Sequence, residues 1–303
     1  MRVEAKNLDK HFGKTHAVRD LSFSIEPGRV TGFLGPNGSG KSSTMRLMLD
    51  LDRGAGQTLY DGKPLVALHP VTKAVGAHLD AKFFHPKRTA FAHLKMLAAE
   101  ARIPDSRIHE VIELVGLGSV AKKRPGGFSL GMGQRLGLAG AILAEPKVLF
   151  LDEPANGLDP QSIQWLRDFL KSYAAKGNSV FVSSHLLSEM QLLADDVVVI
   201  AAGQLIAAES MQQFLTRAQG TNVVVRSNEL AKLRDFIGNE GIESQFEGAN
   251  TLVVSGVTTD QIGEIAFKNN IQLAELTMRS ASLEDVFLEL TDAGQEYRVG
   301  GTK

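Results

Sequence analysis

Gly35-Pro36-Asn37-Gly38-Ser39-Gly40-Lys41-Ser42 matches the pattern G-x-x-x-x-G-K-[ST]. Such a loop is an anion trap built mostly from backbone. Its glycines let the chain curl so that successive N–H groups point at one phosphate chain. Lys41 adds a point charge near the β- and γ-phosphates of a nucleotide, and the Ser42 hydroxyl is suited to ligate Mg2+. The flanks agree with this reading. Val30, Phe33 and Leu34 form a short apolar run that predicts a buried strand, and Met45, Met48 and Leu49 recur at helical spacing after Ser42. Strand, glycine loop and helix in that order put phosphate at the positive end of a helix dipole. The competing reading is a glycine-rich turn ahead of a core helix, and segments further along the chain decide against it.

The 303 residues suit one large domain or two smaller ones, and a hydrophobic content of 43% provides for a sizeable core. Lys+Arg 33 against Asp+Glu 34 leaves no field that favours nucleic acid. With no cysteine, a disulfide scaffold, a thiolate metal site and a cysteine nucleophile are excluded. The first residues, Met-Arg-Val-Glu-Ala-Lys, are charged where a signal peptide needs an apolar stretch, and no run approaches the length of a membrane span. The expectation is a soluble chain whose membrane work, if any, needs a partner. From Thr221 onward there are 13 acidic and 7 basic residues, so the tail is acidic and the rest mildly basic. With no P-loop element in the tail, a boundary near Gly220 follows: residues 1–218 and 219–303.

Val18 to Ile25 alternates apolar Leu21, Phe23 and Ile25 with polar Asp20, Ser22 and Ser24, predicting a half-buried antiparallel strand stopped by Pro27-Gly28. Val148 to Leu151 and Val180 to Val182 are continuous apolar runs of the kind found in parallel strands covered on both faces. Between Asp80 and Glu145 the spacing of Phe91, Leu94 and Leu97, then Val111, Leu114 and Val115, is helical, so a helical subdomain is expected over about 81–145. The tail reads βαββαβ, as in a ferredoxin-like fold, with a terminal helix over Ser282 to Leu290.

Val148-Leu149-Phe150-Leu151-Asp152-Glu153 is an apolar strand ending in two carboxylates. Asp152 is placed to hold Mg2+ directly or through water, and Glu153, on the other face, to act on an attacking water as general base. Two acids at an ordinary strand exit are the competing explanation. Phe128-Ser129-Leu130-Gly131-Met132-Gly133-Gln134-Arg135 is the decisive segment. Ser129 is a natural helix N-cap, and Leu136, Ile142 and Leu143 give the helix an apolar face. Gly131, Gly133, Gly137 and Gly140 each cost up to about 1 kcal/mol relative to Ala inside a helix. Close approach of backbone to a ligand, or of one surface to another, offsets that cost. Tight helix packing explains the later glycines but not a bare, glycine-rich N-terminus.

These segments together resemble the ATP-binding subunit of an ABC transporter. Gly35–Ser42 resembles the family's Walker A, Leu149–Glu153 its Walker B with catalytic glutamate, Phe128–Met132 its signature, Gly157-Leu158-Asp159 its D-loop and Ser184-His185 its switch histidine. Order and spacing fit over residues 1 to about 218. The signature segment and Ser282-Leu283-Glu284-Asp285-Val286-Phe287-Leu288 further resemble the ABC-2 subgroup of drug and antibiotic exporters. The resemblance implies an α/β P-loop NTPase core with an antiparallel β-subdomain and a helical subdomain, plus the small C-terminal α+β domain. It implies a homodimer with two ATPs sandwiched head to tail. By that resemblance Phe12, Gly35, Pro36, Asn37, Gly38, Ser39, Gly40, Lys41, Ser42 and Ser43 of one chain, and Ser129, Gly131, Met132 and Asp159 of the other, are expected to contact nucleotide. Glu153, His185 and Lys41 are the expected catalytic residues, and Ser42, Asp80 and Asp152 the expected Mg2+ ligands. Ser129 and the N–H groups of Gly131 and Met132 present a second helix N-terminus to the γ-phosphate. Phe12 takes the adenine-stacking position, usually tyrosine; its alternative is a core phenylalanine.

One departure from the family concerns the Q-loop. No glutamine lies between Gln57 and Gln134, and matching Val75-Gly76-Ala77-His78-Leu79 to the family's pattern puts Asp80 in the glutamine's place. Asp80 is expected to keep the metal contact and to alter how ATP binding couples to the partner. The function expected is ATP hydrolysis that energises transport through a separate membrane permease, from the cytoplasmic face of the membrane and without nucleic acid. The alternative is a soluble ABC-type ATPase acting on ribosomes or nucleic acid, which usually carries two ATPase units or a long coiled-coil insertion that this chain lacks.

Overall fold

A computed structural model of the chain describes residues 1–80, 84–85, 87–218, 221–248 and 250–280. Two compact units result, one formed by Met1–Met211 and a second that begins at Gln212. The division falls in the first turn of a helix, Met211–Ala218. The expected helix Ser282–Leu290 lies outside the described residues.

The first unit opens with β1 (Val3–Phe12) and β2 (Thr15–Ile25), an antiparallel pair joined at Gly13-Lys14. Next come β3 (Val30–Leu34), α1 (Lys41–Met48), β4 (Ala55–Tyr60), β5 (Lys63–Pro64), α2 (Val71–Ala74) and β6 (Val75–His78). The helical segment holds α3 (Ala90–Glu100), α4 (Asp105–Leu114) and α5 (Leu130–Ile142). The chain then returns to the sheet with β7 (Val148–Leu151), α6 (Pro160–Ala175), β8 (Ser179–Ser184), α7 (Leu187–Leu193), β9 (Asp196–Ala201) and β10 (Gln204–Ser210). No helix among the described residues is long and apolar enough to cross a membrane.

Two sheets form the unit. One is four-stranded, in the order β2-β1-β4-β5; its β2 buries Leu21, Phe23 and Ile25 and turns the intervening polar residues away, as the alternation requires. The other is six-stranded, in the order β10-β9-β3-β8-β7-β6, with parallel pairing from β9 through β6 and an antiparallel β10 edge. Every residue of β3, β7 and β8 is buried, which explains the continuous apolar runs Val148–Leu151 and Val180–Val182 within the last two. The two sheets share one core. Phe33 and Phe181 lie 4.9 Å apart between ring centroids, and Phe23 of the antiparallel sheet lies 5.7 Å from Phe181. Burying each ring contributes about 1.5–3 kcal/mol relative to leaving it exposed.

The sheet order has a consequence for the site. The strand leading into Gly35 and the strand leading into Asp152 are not neighbours, because β8 lies between them. The parallel registers bring Leu34, Ser184 and Leu151 to the same edge of the sheet. Ligands of open parallel sheets bind outside this carboxyl edge.

The second unit contains α8 (Met211–Ala218) apart from its first residue, then β11 (Thr221–Ser227), α9 (Leu230–Asn239), β12 (Ser244–Phe246), β13 (Leu252–Ser255), α10 (Thr259–Lys268) and β14 (Leu273–Ser280). Its antiparallel sheet runs β12-β13-β11-β14, the ferredoxin-like arrangement expected from the βαββαβ order. Val223, Val225, Leu252 and Val254 pack with Leu233, Ile237, Ile262 and Ile265 of the two helices. Thr258 starts α10 with a capping box: its side chain accepts from Gln261 N, and the Gln261 side chain accepts from Thr258 N.

Candidate active site

The loop after β3 is wedged between β2 and β9, and two of its glycines are there for lack of room. A Cβ on Gly40 would fall 2.3 Å from the Ala17 carbonyl oxygen, and one on Gly35 would fall 2.5 Å from that of Ile200. Gly40 also has φ +105°, a conformation that L side chains rarely adopt. It leads directly into α1, whose first residue is Lys41. The Lys41 ammonium is buried, donates to Gly35 O at 2.7 Å and Pro36 O at 3.3 Å, and lies 3.5 Å from Glu153 Oε1. Burial pulls its pKa below the usual lysine value, against the opposing pull of Glu153 and Asp152.

Asp152 and Glu153 diverge at the end of β7. Ser42 donates to Asp152 Oδ2 at 2.5 Å, and Ser183, from β8, donates to Asp152 Oδ1 at 2.5 Å. Glu153 has φ +47°, in the left-handed region, which costs a non-glycine residue about 1–3 kcal/mol. That turn is held from both sides. Glu153 N donates to Ser183 Oγ at 2.9 Å, and Glu153 O accepts from Gln134 Nε2 and Asn156 N, both at 3.2 Å. One carboxylate oxygen faces Lys41 and the other lies 2.9 Å from His185 Nδ1. Lys41, Ser42, Asp152, Glu153 and His185 are therefore one connected group, assembled from the ends of β3, β7 and β8.

The other expected residues lie on other elements. Ser129 accepts from Met132 N at 3.2 Å and caps α5. Gly131 is packed within its own chain: a Cβ there would meet Gly157 O at 2.8 Å and Leu158 Cδ2 at 3.2 Å. Packing thus accounts for a glycine at the helix start as well as for later ones. Asp159 is the N-cap of α6; it accepts from Ser162 N at 2.8 Å and Ser162 Oγ at 2.9 Å, which lowers its pKa. No hydrogen bond among the described residues links Ser129, Gly131 or Met132 to the glycine loop. Phe12 is 51% exposed at the β1–β2 turn, with Lys10 Nζ 4.8 Å from its ring centroid, so it is not a core residue. Asp80 is exposed two residues after His78, whose Cα partner in β7 is Leu151, so it leaves the sheet at the same edge as Asp152 and Glu153.

Three contributors escaped the sequence reading. Ser183 joins the two carboxylate residues. Gln134 joins α5 to the Glu153 backbone. His78, 4% exposed, lies with Nε2 2.5 Å from Gln134 Oε1, and its pKa is lowered chiefly by burial. A Cβ on Gly137 would fall 2.0 Å from the His78 ring, so that glycine is the space the imidazole fills. The available signals were a histidine closing an apolar strand and a hydroxyl following one. Beside Glu153, a cleft between α6, β8 and α7 is lined by Leu166, Met190 and Leu193, with Arg167 and Glu189. Burial and the Glu153 charge raise the Glu189 pKa.

A family model described as ABC transporter matches residues 18–156, and one described as a domain of unknown function matches residues 221–284. The chain is 34% identical over 298 residues to the uncharacterized ABC transporter ATP-binding protein YdbJ of Bacillus subtilis (strain 168), covering 97% of this chain and 96% of that protein. It is 30% identical to the bacitracin transport ATP-binding protein BcrA of Enterococcus faecalis, covering 96% of this chain and 97% of that one. A solved bacterial ABC transporter cassette, dimeric in its structure, superposes with a TM-score of 0.62 at 21% identity, covering 69% of this chain and 98% of that one.

Proposed function

Because the chain belongs to the ABC transporter ATP-binding proteins, we propose that it drives export of a drug, antibiotic or other small amphipathic compound through a separate membrane permease. The carrying observation is the clamp on Glu153, with Lys41 on one carboxylate oxygen and His185 on the other. A carboxylate held this way, with its backbone fixed by Ser183 and Gln134, is suited to take a proton from water attacking the γ-phosphate. His185 orients that carboxylate and contacts the γ-phosphate. Lys41, Ser43 and the loop N–H groups hold the phosphate chain.

The Mg2+ implied by such chemistry suits the donors present. The Ser42 hydroxyl and the Asp152 carboxylate, 2.5 Å apart, are hard oxygen ligands, with Asp80 leaving the same sheet edge. Bound Mg2+ supplies neutralising charge on the phosphates.

In this reading two copies close on ATP, and Ser129, Gly131, Met132 and Asp159 of each copy complete the other's site. The absence, among the described residues, of a hydrogen bond from Ser129, Gly131 or Met132 to the loop of the same chain, and the dimeric form of the superposing cassette, support it. The bacitracin relative supports a peptide-antibiotic cargo, delivered from the cytoplasmic face. The chain purified from detergent-solubilised membranes is expected to bring down a polytopic membrane protein and to hydrolyse ATP faster with it than alone. Recovery only with ribosomes or nucleic acid overturns the reading.

A further inference from the structure

We propose that Asp9, His11 and His16 form a binding site for a divalent transition-metal ion of the Zn2+ class on the β1–β2 hairpin. The inference is independent of the transport reading. It begins with strand geometry. Asp9 and His11 are two apart on β1, and His16 of β2 is the direct cross-strand partner of His11. A break in register between Lys10 and His11 sits within the group. Such breaks re-aim side chains that regular pairing would hold apart.

The three side chains converge. His16 Nε2 lies 2.7 Å from Asp9 Oδ2, and His11 Nε2 lies 3.6 Å from Asp9 Oδ1. The two imidazoles stack with centroids 3.8 Å apart. One ligand atom from each residue lies within 4.8 Å of the other two. A tetrahedral ion with metal–ligand bonds of about 2.0–2.1 Å holds its donors about 3.4 Å apart, so modest side-chain rotation that opens the stack closes the site. Two imidazoles and one carboxylate suit Zn2+, Ni2+ or Cu2+, and leave a position for water. Mg2+ prefers an all-oxygen, near-octahedral shell and is a poor match. The site is solvent-accessible, with His11 and His16 side chains 56% and 31% exposed. The neighbouring Lys10 ammonium is engaged elsewhere, on Arg53 O and over the Phe12 ring. A bound ion would tie β1 to β2 beside Phe12 and Gly13.

The experiment uses the full chain without an affinity tag, stripped by chelator and free of nucleotide. Zn2+ titrated calorimetrically is expected to bind at one site per chain, unaffected by millimolar Mg2+. Co2+ at the same site is expected to give a visible absorption band. His16→Gln, which keeps a hydrogen-bonding side chain beside Asp9, and His11→Asn are each expected to weaken Zn2+ at least tenfold and to remove the Co2+ band, with circular dichroism unchanged. In the wild type, Zn2+ is expected to slow amide exchange across residues 10–16. Absence of binding to the wild type, or equal affinity and stoichiometry in both variants, overturns the proposal and leaves Asp9 as a hydrogen-bonded staple of the hairpin. If either variant unfolds, histidine NMR resonances of the wild type decide: Zn2+ must shift those of His11 and His16, and shifts confined to other histidines overturn it.

Discussion

Nδ1 of His185 lies 2.9 Å from Oε2 of Glu153, and the pair spans two strands, β8 and β7, that are adjacent and parallel. Neither residue is placed by its own strand alone. Glu153 turns out of line at φ +47°, and His185 follows the last residue of β8. The contact therefore reports the alignment of the whole carboxyl edge of the sheet, which is why the two residues are expected to fail together.

Glu153→Gln keeps the volume and removes the base. Hydrolysis is expected to fall 10²–10⁴-fold, the usual contribution of a positioned general base, while ATP binding persists. His185→Ala is expected to lower turnover by a similar order with little change in ATP affinity. Adding it to Glu153→Gln is expected to cost little more, since both act on one step. Phosphate release and nucleotide binding measured on the three variants check this; unchanged turnover in Glu153→Gln removes that residue from its role.

Ser183 is a test of support rather than chemistry. Its hydroxyl donates to Asp152 and accepts from Glu153 N, so Ser183→Ala strands an N–H at a strained residue. A loss of about 1–3 kcal/mol in chemical denaturation is expected, with lower turnover at saturating ATP. Stability equal to wild type would show that the Glu153 turn stands without it.

Gly137 and His78 are coupled by volume. Gly137→Ala gains about 1 kcal/mol of helix propensity but drives a methyl into the imidazole, so net destabilisation of about 1–3 kcal/mol is expected. In the His78→Ala background the same change is expected to be neutral or stabilising. A double-mutant cycle by urea denaturation measures the difference; additive effects would mean the two sites do not interact.

Much of this site was legible in the sequence because its parts are local. The glycine loop, the strand ending in Asp152-Glu153 and the cap at Ser129 each announce themselves within eight residues. The tail's βαββαβ order was equally readable, since its strands and helices carry clear periodicity. What the sequence hid is non-local. The interposition of β8 between β3 and β7, and hence the bridging position of Ser183, depends on strand order, which no window of sequence contains. The His78–Gln134–Glu153 chain joins residues as far as 75 positions apart, and Gly137 read as a costly helix residue until the ring it accommodates was placed. Asp9, His11 and His16 converge only through cross-strand register.

Acid is expected to weaken the fold before carboxylates protonate. Burial lowers the pKa of His78 and of His93, whose Nδ1 is buried without a hydrogen-bond partner among the described residues. Below about pH 6.5 the unfolded chain takes up protons that the folded chain does not, so stability falls as pH drops, by up to about 1.4 kcal/mol per pH unit for each histidine. Asp9 and Asp159 have lowered pKa values, and their stabilisation is lost only as pH falls below about 3.8. Urea midpoints at pH 7.5, 6.5 and 5.5 are expected to fall more steeply for wild type than for His78→Leu. Parallel curves would mean that His78 titrates alike in both states.

Ser129 offers a way to separate helix capping from action on nucleotide. Its side chain already has an intramolecular duty, accepting from Met132 N, so loss of activity in Ser129→Ala would be ambiguous: the lost cap alone costs about 0.5–2 kcal/mol. Asp caps as well as Ser, and a negative charge at a helix N-terminus interacts favourably with the dipole. Ser129→Asp is therefore expected to fold with wild-type stability. Under the sandwich arrangement, however, that carboxylate faces the γ-phosphate bound by the second copy. ATP-driven dimerisation of the Glu153→Gln protein is then expected to be lost when Ser129→Asp is added, with ATP binding to the single chain retained. Mixing Ser129→Asp chains with Lys41→Ala chains sharpens the test, because one composite site in such a mixed dimer carries both lesions and the other carries neither. Turnover restored in the mixture, from two inactive parents, is the expected result. A Ser129→Asp chain that dimerises and hydrolyses ATP like wild type would confine Ser129 to capping its own helix.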